Sequence, residues 1–149
     1  MHILEAMARM EGFYRRGSRP QRNNNPGDIE YGKFAQAHGA THAEQPAGRF
    51  AVFPDAATGF EAMRALLESR GYAGLTVSQA LNRWAPPVEN DTNAYTANVC
   101  RWAECKPDDA ITDLLQAPLT GWMPNVTPAA RVPQMAVAIG HSLADAGKG

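Results

Sequence analysis

The chain has 149 residues, 44% of them hydrophobic and 19% charged, with 14 Lys and Arg against 15 Asp and Glu for a net charge of −1. That length supports one domain with a real core, and the near-neutral balance argues against a protein built around nucleic acid. No run in the sequence approaches the roughly 18 apolar residues of a membrane-spanning helix, so stable membrane insertion is not expected.

The charge is uneven. Arg9, Arg15, Arg16, Arg19 and Arg22 cluster near the start of the chain and make a locally basic lip. The opening residues lack the basic, apolar and small-residue order of a secretory signal.

In chain order, Ile3, Ala6, Met7 and Met10 recur at helical spacing and predict a helix over 2–11, with Gly12 as its exit. Residues 13–27 turn to Arg, Asn, Gly, Ser and Pro, which is loop chemistry. Two strands are expected, over 28–34 and 49–53, joined by a long segment. Helices then dominate. One is expected over 56–70, with Phe60, Met63, Leu66 and Leu67 on one face. Thr76 and Gln79 have the form of a capping box for a helix carrying Val77, Ala80, Leu81 and Trp84, halted by Pro86 and Pro87. Asn90 or Asp91 caps the next helix, where Tyr95, Val99 and Trp102 share a face. A short helix over 107–116 and a last one over 132–146 complete the pattern. The fold class expected is α+β, predominantly α-helical, in a single domain over 1–149. A small irregular β-lobe at about 23–54 follows the first helix, and a helical lobe spans about 55–146.

The residues with chemical promise gather near the first helix. Glu11 ends that helix among Met7, Met10 and Phe13 and faces a polar loop. Partial desolvation raises a carboxyl pKa, as a general acid for glycoside cleavage requires, while the nearby arginines push the other way. Ordinary glycoside hydrolysis uses a second carboxylate. Asp28, Glu30 and Glu44 are the candidates, and by strand alternation Asp28 and Glu30 share a face. With none of them in place, a single-acid mechanism remains. Asn24 and Asn25 can set a turn or offer amides to a sugar. Tyr31 and Tyr95 can stack on sugar faces, whereas Trp84 and Trp102 fit the core by their spacing.

His38, His42 and Glu44 lack a continuous helix to align them, because Gly39 intervenes. No metal and no cofactor are therefore expected. On a continuous helix, Cys100 and Cys105 would point well apart. They are expected as free thiols unless the helix ends between them.

Four segments taken together, MARMEGFYRR, NNNPGDIEYG, GRFAVFPDAATGFEAMRALL and RWAPPVENDTNAYTANV, resemble phage-type peptidoglycan hydrolases of the lysozyme-like superfamily. The resemblance covers roughly residues 4–99. It implies a lysozyme-like fold with Glu11 as catalytic acid, acting on the β-1,4 bond between N-acetylmuramic acid and N-acetylglucosamine of peptidoglycan glycan strands. Muramidase, lytic transglycosylase and N-acetylglucosaminidase chemistry all stay open, as does a wall-binding or virion baseplate module that kept the fold without the chemistry. Asp28 departs from the family pattern, which has Asn at that point of the turn. The same resemblance implies a monomer made in a bacterial host without a signal peptide. Such a protein reaches the wall through a holin or as part of a virion.

Overall fold

The computed structural model describes residues 1–46 and 48–117. It is a mixed α+β structure, about 47% helical with a small two-stranded sheet. Seven helices and two strands are described: α1 Ile3–Glu11, α2 Arg19–Arg22, α3 Lys33–Ala37, β1 His42–Ala43, β2 Ala51–Val52, α4 Ala56–Leu67, α5 Val77–Trp84, α6 Thr92–Ala103 and α7 Ile111–Leu115.

The longer helices begin and end where local chemistry puts them. His2 caps α1, with Nδ1 accepting from the Leu4 amide at 3.0 Å. Gly12 ends α1 in the left-handed region at φ 86°, where a side chain would be strained. Asp55 caps α4 through the Thr58 amide at 2.8 Å. Thr76 and Gln79 form the full capping box of α5, and Asp91, not Asn90, caps α6. The buried faces then meet in one apolar core that includes Leu4 and Met7 from α1, Phe60, Met63 and Leu66 from α4, and Trp84 from α5. Among the described elements, α1 packs most extensively against α6.

The β region differs from the expected pair of strands. β1 and β2 are antiparallel, with His42 opposite Val52 and Ala43 opposite Ala51. The segment expected as a strand over 28–34 contributes only a bridge between Glu30 and Phe50. Two features shorten it. Asp28 sits at φ 52°, outside extended geometry. Residues 33–37, Lys-Phe-Ala-Gln-Ala, are good helix formers and bury Phe34 and Ala35 in α3. Asp28 and Glu30 therefore do not share a strand face. The second expected strand keeps only Ala51–Val52 and the Phe50 bridge.

Elsewhere, the helix expected over 56–70 ends at Leu67, and that expected over 107–116 contracts to α7. Short α2 falls inside the segment expected to be loop, its start capped by Ser18. The helix expected over 132–146 lies outside the described residues.

The Asn-Pro-Gly turn is wedged against the helices. A Cβ at Gly27 would fall 2.7 Å from Met63 Cγ and 2.9 Å from Trp84 Cζ2, and one at Gly59 of α4 would strike the Asn24 carbonyl. The bare backbone at both positions lets the turn lie flat on α4 and α5.

Candidate functional site

The site is built around the end of α1. Glu11 is half-buried there, next to the left-handed Gly12. From α6, the Tyr95 hydroxyl donates to Glu11 Oε2 at 2.7 Å. Tyr95 is itself buried. Burial first, and the neighbouring Glu11 charge second, raise its phenol well above the ordinary tyrosine range. The phenol therefore stays protonated and acts toward Glu11 as a donor. Beside this contact, Asn98 of α6 donates to the Met10 thioether at 3.7 Å, and the Arg9 guanidinium lies 4.2 Å from the centroid of the Trp102 ring.

A polar side faces this apolar seam. Ser18 Oγ donates to the Gly12 carbonyl at 2.6 Å and ties α2 to the end of α1. α2 presents Arg19, which grips Asp28 with two hydrogen bonds, Nε to Oδ1 at 3.1 Å and Nη2 to Oδ2 at 2.6 Å. The Asp28 side chain is only 7% exposed, so this is a sheltered, two-pronged pair. Hydrogen bonding to Asp28 raises Arg19 above the ordinary arginine value, and the charges of Glu44 and Glu11 add to the effect. One guanidinium thus lies in the field of three carboxylates. Its carbon also lies 3.7 Å from the centroid of the Phe50 ring, with Arg49 4.8 Å from the same centroid.

The other two candidate carboxylates are also paired. Glu30 Oε2 accepts from Arg49 Nε at 3.0 Å and Nη2 at 2.7 Å. Glu44 Oε2 accepts from Arg22 Nε at 2.8 Å. Asp28, Glu30 and Glu44 each face an arginine, and of the three only Asp28 has both oxygens gripped by its partner.

The asparagines are chiefly structural. Asn25 is fully buried. Its amide nitrogen donates to the Ile29 and Ala51 carbonyls, both at 2.9 Å, and its oxygen accepts from the Ile29 amide at 2.9 Å. Asn25, expected among the substrate-binding residues, therefore has both amide atoms engaged by backbone and joins the turn to β2. Asn24 adopts φ 53° and donates to the Phe53 carbonyl at 3.1 Å. Asn24 and Asp28 both occupy the left-handed region, which Asn and Asp enter more readily than other side chains. That geometry suits Asp as well as Asn at this point of the turn.

The aromatic candidates separate. Tyr95 reaches Glu11. Tyr31 is half-buried, and its hydroxyl accepts from Gln36 Nε2 at 2.7 Å. Trp84 is fully buried in the core. His38 stacks on Phe34 at 4.2 Å, His42 Nδ1 meets Thr41 Oγ1 at 2.8 Å, and Glu44 belongs to Arg22.

Sequence reasoning placed Arg19 only within a basic cluster and missed its two-pronged pairing with Asp28. A signal was present in Ser18-Arg19-Pro20, a capping residue followed by proline in the first helical turn. Comparison with protein-family models returns no match, and comparison with curated proteins returns none either.

Proposed function

We propose that this protein is a peptidoglycan-cleaving glycosidase of lysozyme-like fold, with Glu11 as its general acid. The observation that carries the reading is the hydrogen bond from Tyr95 to Glu11. Those residues come from the first and the last of the four segments on which the resemblance rests, and they meet at one pair of atoms.

In this reading, protonated Glu11 donates to the glycosidic oxygen and the bond from that oxygen to the sugar C1 breaks. Tyr95 holds the carboxyl in place throughout. The arginine pairing of Asp28, Glu30 and Glu44 supports a course with a single acid, because each of these carboxylates is already engaged by a guanidinium. The muramic acid C6 hydroxyl then closes onto C1 and returns its proton to Glu11, leaving a 1,6-anhydro end and consuming no water. The exposed Arg15 and Arg16, beside the end of α1, suit an anionic wall polymer.

The test is digestion of purified peptidoglycan with mass spectrometry of the released muropeptides. Wild type releases anhydro-ended fragments, and Glu11→Gln loses about 10²–10⁴-fold of the rate. Reducing ends in place of anhydro ends replace transglycosylation with hydrolysis, and the terminal sugar distinguishes muramidase from N-acetylglucosaminidase. Equal clearing by wild type and Glu11→Gln overturns the assignment. Wall binding without any release by wild type favours the non-catalytic module.

A further inference from the structure

The two cysteines occupy the two contact positions of the turn that ends α6. Glu104 adopts the left-handed conformation at φ 57° and ψ 49°. The chain folds back after it, and the Cys105 amide donates to the Cys100 carbonyl at 3.1 Å. In a helix end of this kind, the side chain after the left-handed residue packs on the side chain at the start of the last turn. That pair is ordinarily apolar, and here both members carry a thiol. The backbone bond between the two residues makes their side chains neighbours across this turn. The sequence expectation of diverging thiols assumed a continuous helix. α6 stops at Ala103, between them, so they converge. Among the described residues no group of three His, Cys, Asp or Glu side chains is placed to hold a metal ion.

We propose that Cys100 and Cys105 are a disulfide-forming pair, closed by thiol–disulfide exchange with a small-molecule or protein disulfide. The thiolate of half-buried Cys105 attacks one sulfur of the donor disulfide and releases the first donor thiolate. Cys100 then loses its proton and attacks the Cys105 sulfur, forming the protein S–S bond and expelling the second donor thiolate. The two protons lost by the protein end on the two donor thiols. The protein is oxidised by two electrons and the donor is reduced by two.

Burial raises both thiols above their ordinary value, Cys105 up to about 12. Closure is therefore slow at neutral pH and accelerates as pH rises. The bond cross-links the last turn of α6, the helix that carries Tyr95 and packs Trp102 against Arg9.

The experiment incubates the intact reduced chain with glutathione disulfide at mildly alkaline pH, alkylates the remaining thiols and weighs the protein. Wild type loses two hydrogens, takes up no alkyl group and stays monomeric. Its Tm rises by several degrees and falls back with dithiothreitol. Cys105→Ser keeps one sulfur and forms no internal bond. Two alkylatable thiols persisting in wild type, a lasting glutathione adduct, or a cross-link between chains overturns the proposal. The readout needs no glycan substrate, so its failure is separate from failure of the glycosidase reading.

Discussion

Glu11 lies between two regions with opposite construction. On one side, α1 meets α6 through an apolar seam in which Leu4, Met7 and Val99 are fully buried. Removing such a side chain from water contributes about 1.5–3 kcal/mol. On the other side, the described residues of 17–52 form only short elements, α2, α3 and two two-residue strands, with three ion pairs that bind arginines to carboxylates. The two more exposed of them, Arg22–Glu44 and Arg49–Glu30, contribute about 0–1 kcal/mol each. The loop region is held instead by buried side-chain amides that satisfy its backbone, above all Asn25. The seam can lose one contact and remain packed. The loop region depends on these buried polar groups together with Ile29, Phe34 and Ala35, which join the core.

That contrast breaks hardest at Asn25. Asn25→Ala leaves the Ile29 amide and the Ile29 and Ala51 carbonyls without this partner in a buried place. The Ile29 carbonyl still accepts from the Ala51 amide at 2.9 Å, so the expected cost is about 2 kcal/mol, carried by the Ile29 amide and the Ala51 carbonyl. Urea unfolding measures it, and a loss below about 1 kcal/mol would show that the loop region is held by something else.

On the seam, the corresponding change is milder. Tyr95→Phe removes one hydrogen bond and keeps the ring, so stability falls by about 1 kcal/mol. Under the glycosidase reading, cleavage falls by about tenfold, because the carboxyl of Glu11 is no longer fixed. A full loss of activity in a well-folded Tyr95→Phe would give the phenol a larger part than positioning.

The smallest effect concerns pH. His2 Nδ1 accepts from Leu4, which places the ring proton on Nε2, facing the Ala117 carbonyl at 3.1 Å. Burial holds the His2 imidazole below its ordinary value of 6.5, with Arg64 acting in the same direction. Below 6.5 the unfolded chain takes up the proton first, so stability is complete above that pH and declines as pH falls through the folded value. His2→Asn keeps a capping side chain without a titrating group. Its Tm is expected to vary less than that of wild type on acidification from neutral pH. Parallel curves for the two proteins would exclude His2 as the source.

What the sequence determined by itself was local. Gly12, Thr76 with Gln79, and one of Asn90 and Asp91 set helix ends because a cap needs only residues within one turn of it. The apolar faces of α4, α5 and α6 were legible for the same reason, as their periodicity is written in the chain. Tertiary structure decided what depends on distant neighbours. Residues 28–34 alternate well enough for a strand, but packing of Phe34 and Ala35 made part of them α3. The partner of Arg19 is nine residues away, and the partner of Glu11 is 84 residues away. Neither distance leaves a periodic trace. The cysteines changed meaning through one left-handed residue, Glu104, because a helix end reverses the chain where a continuing helix would have separated their side chains.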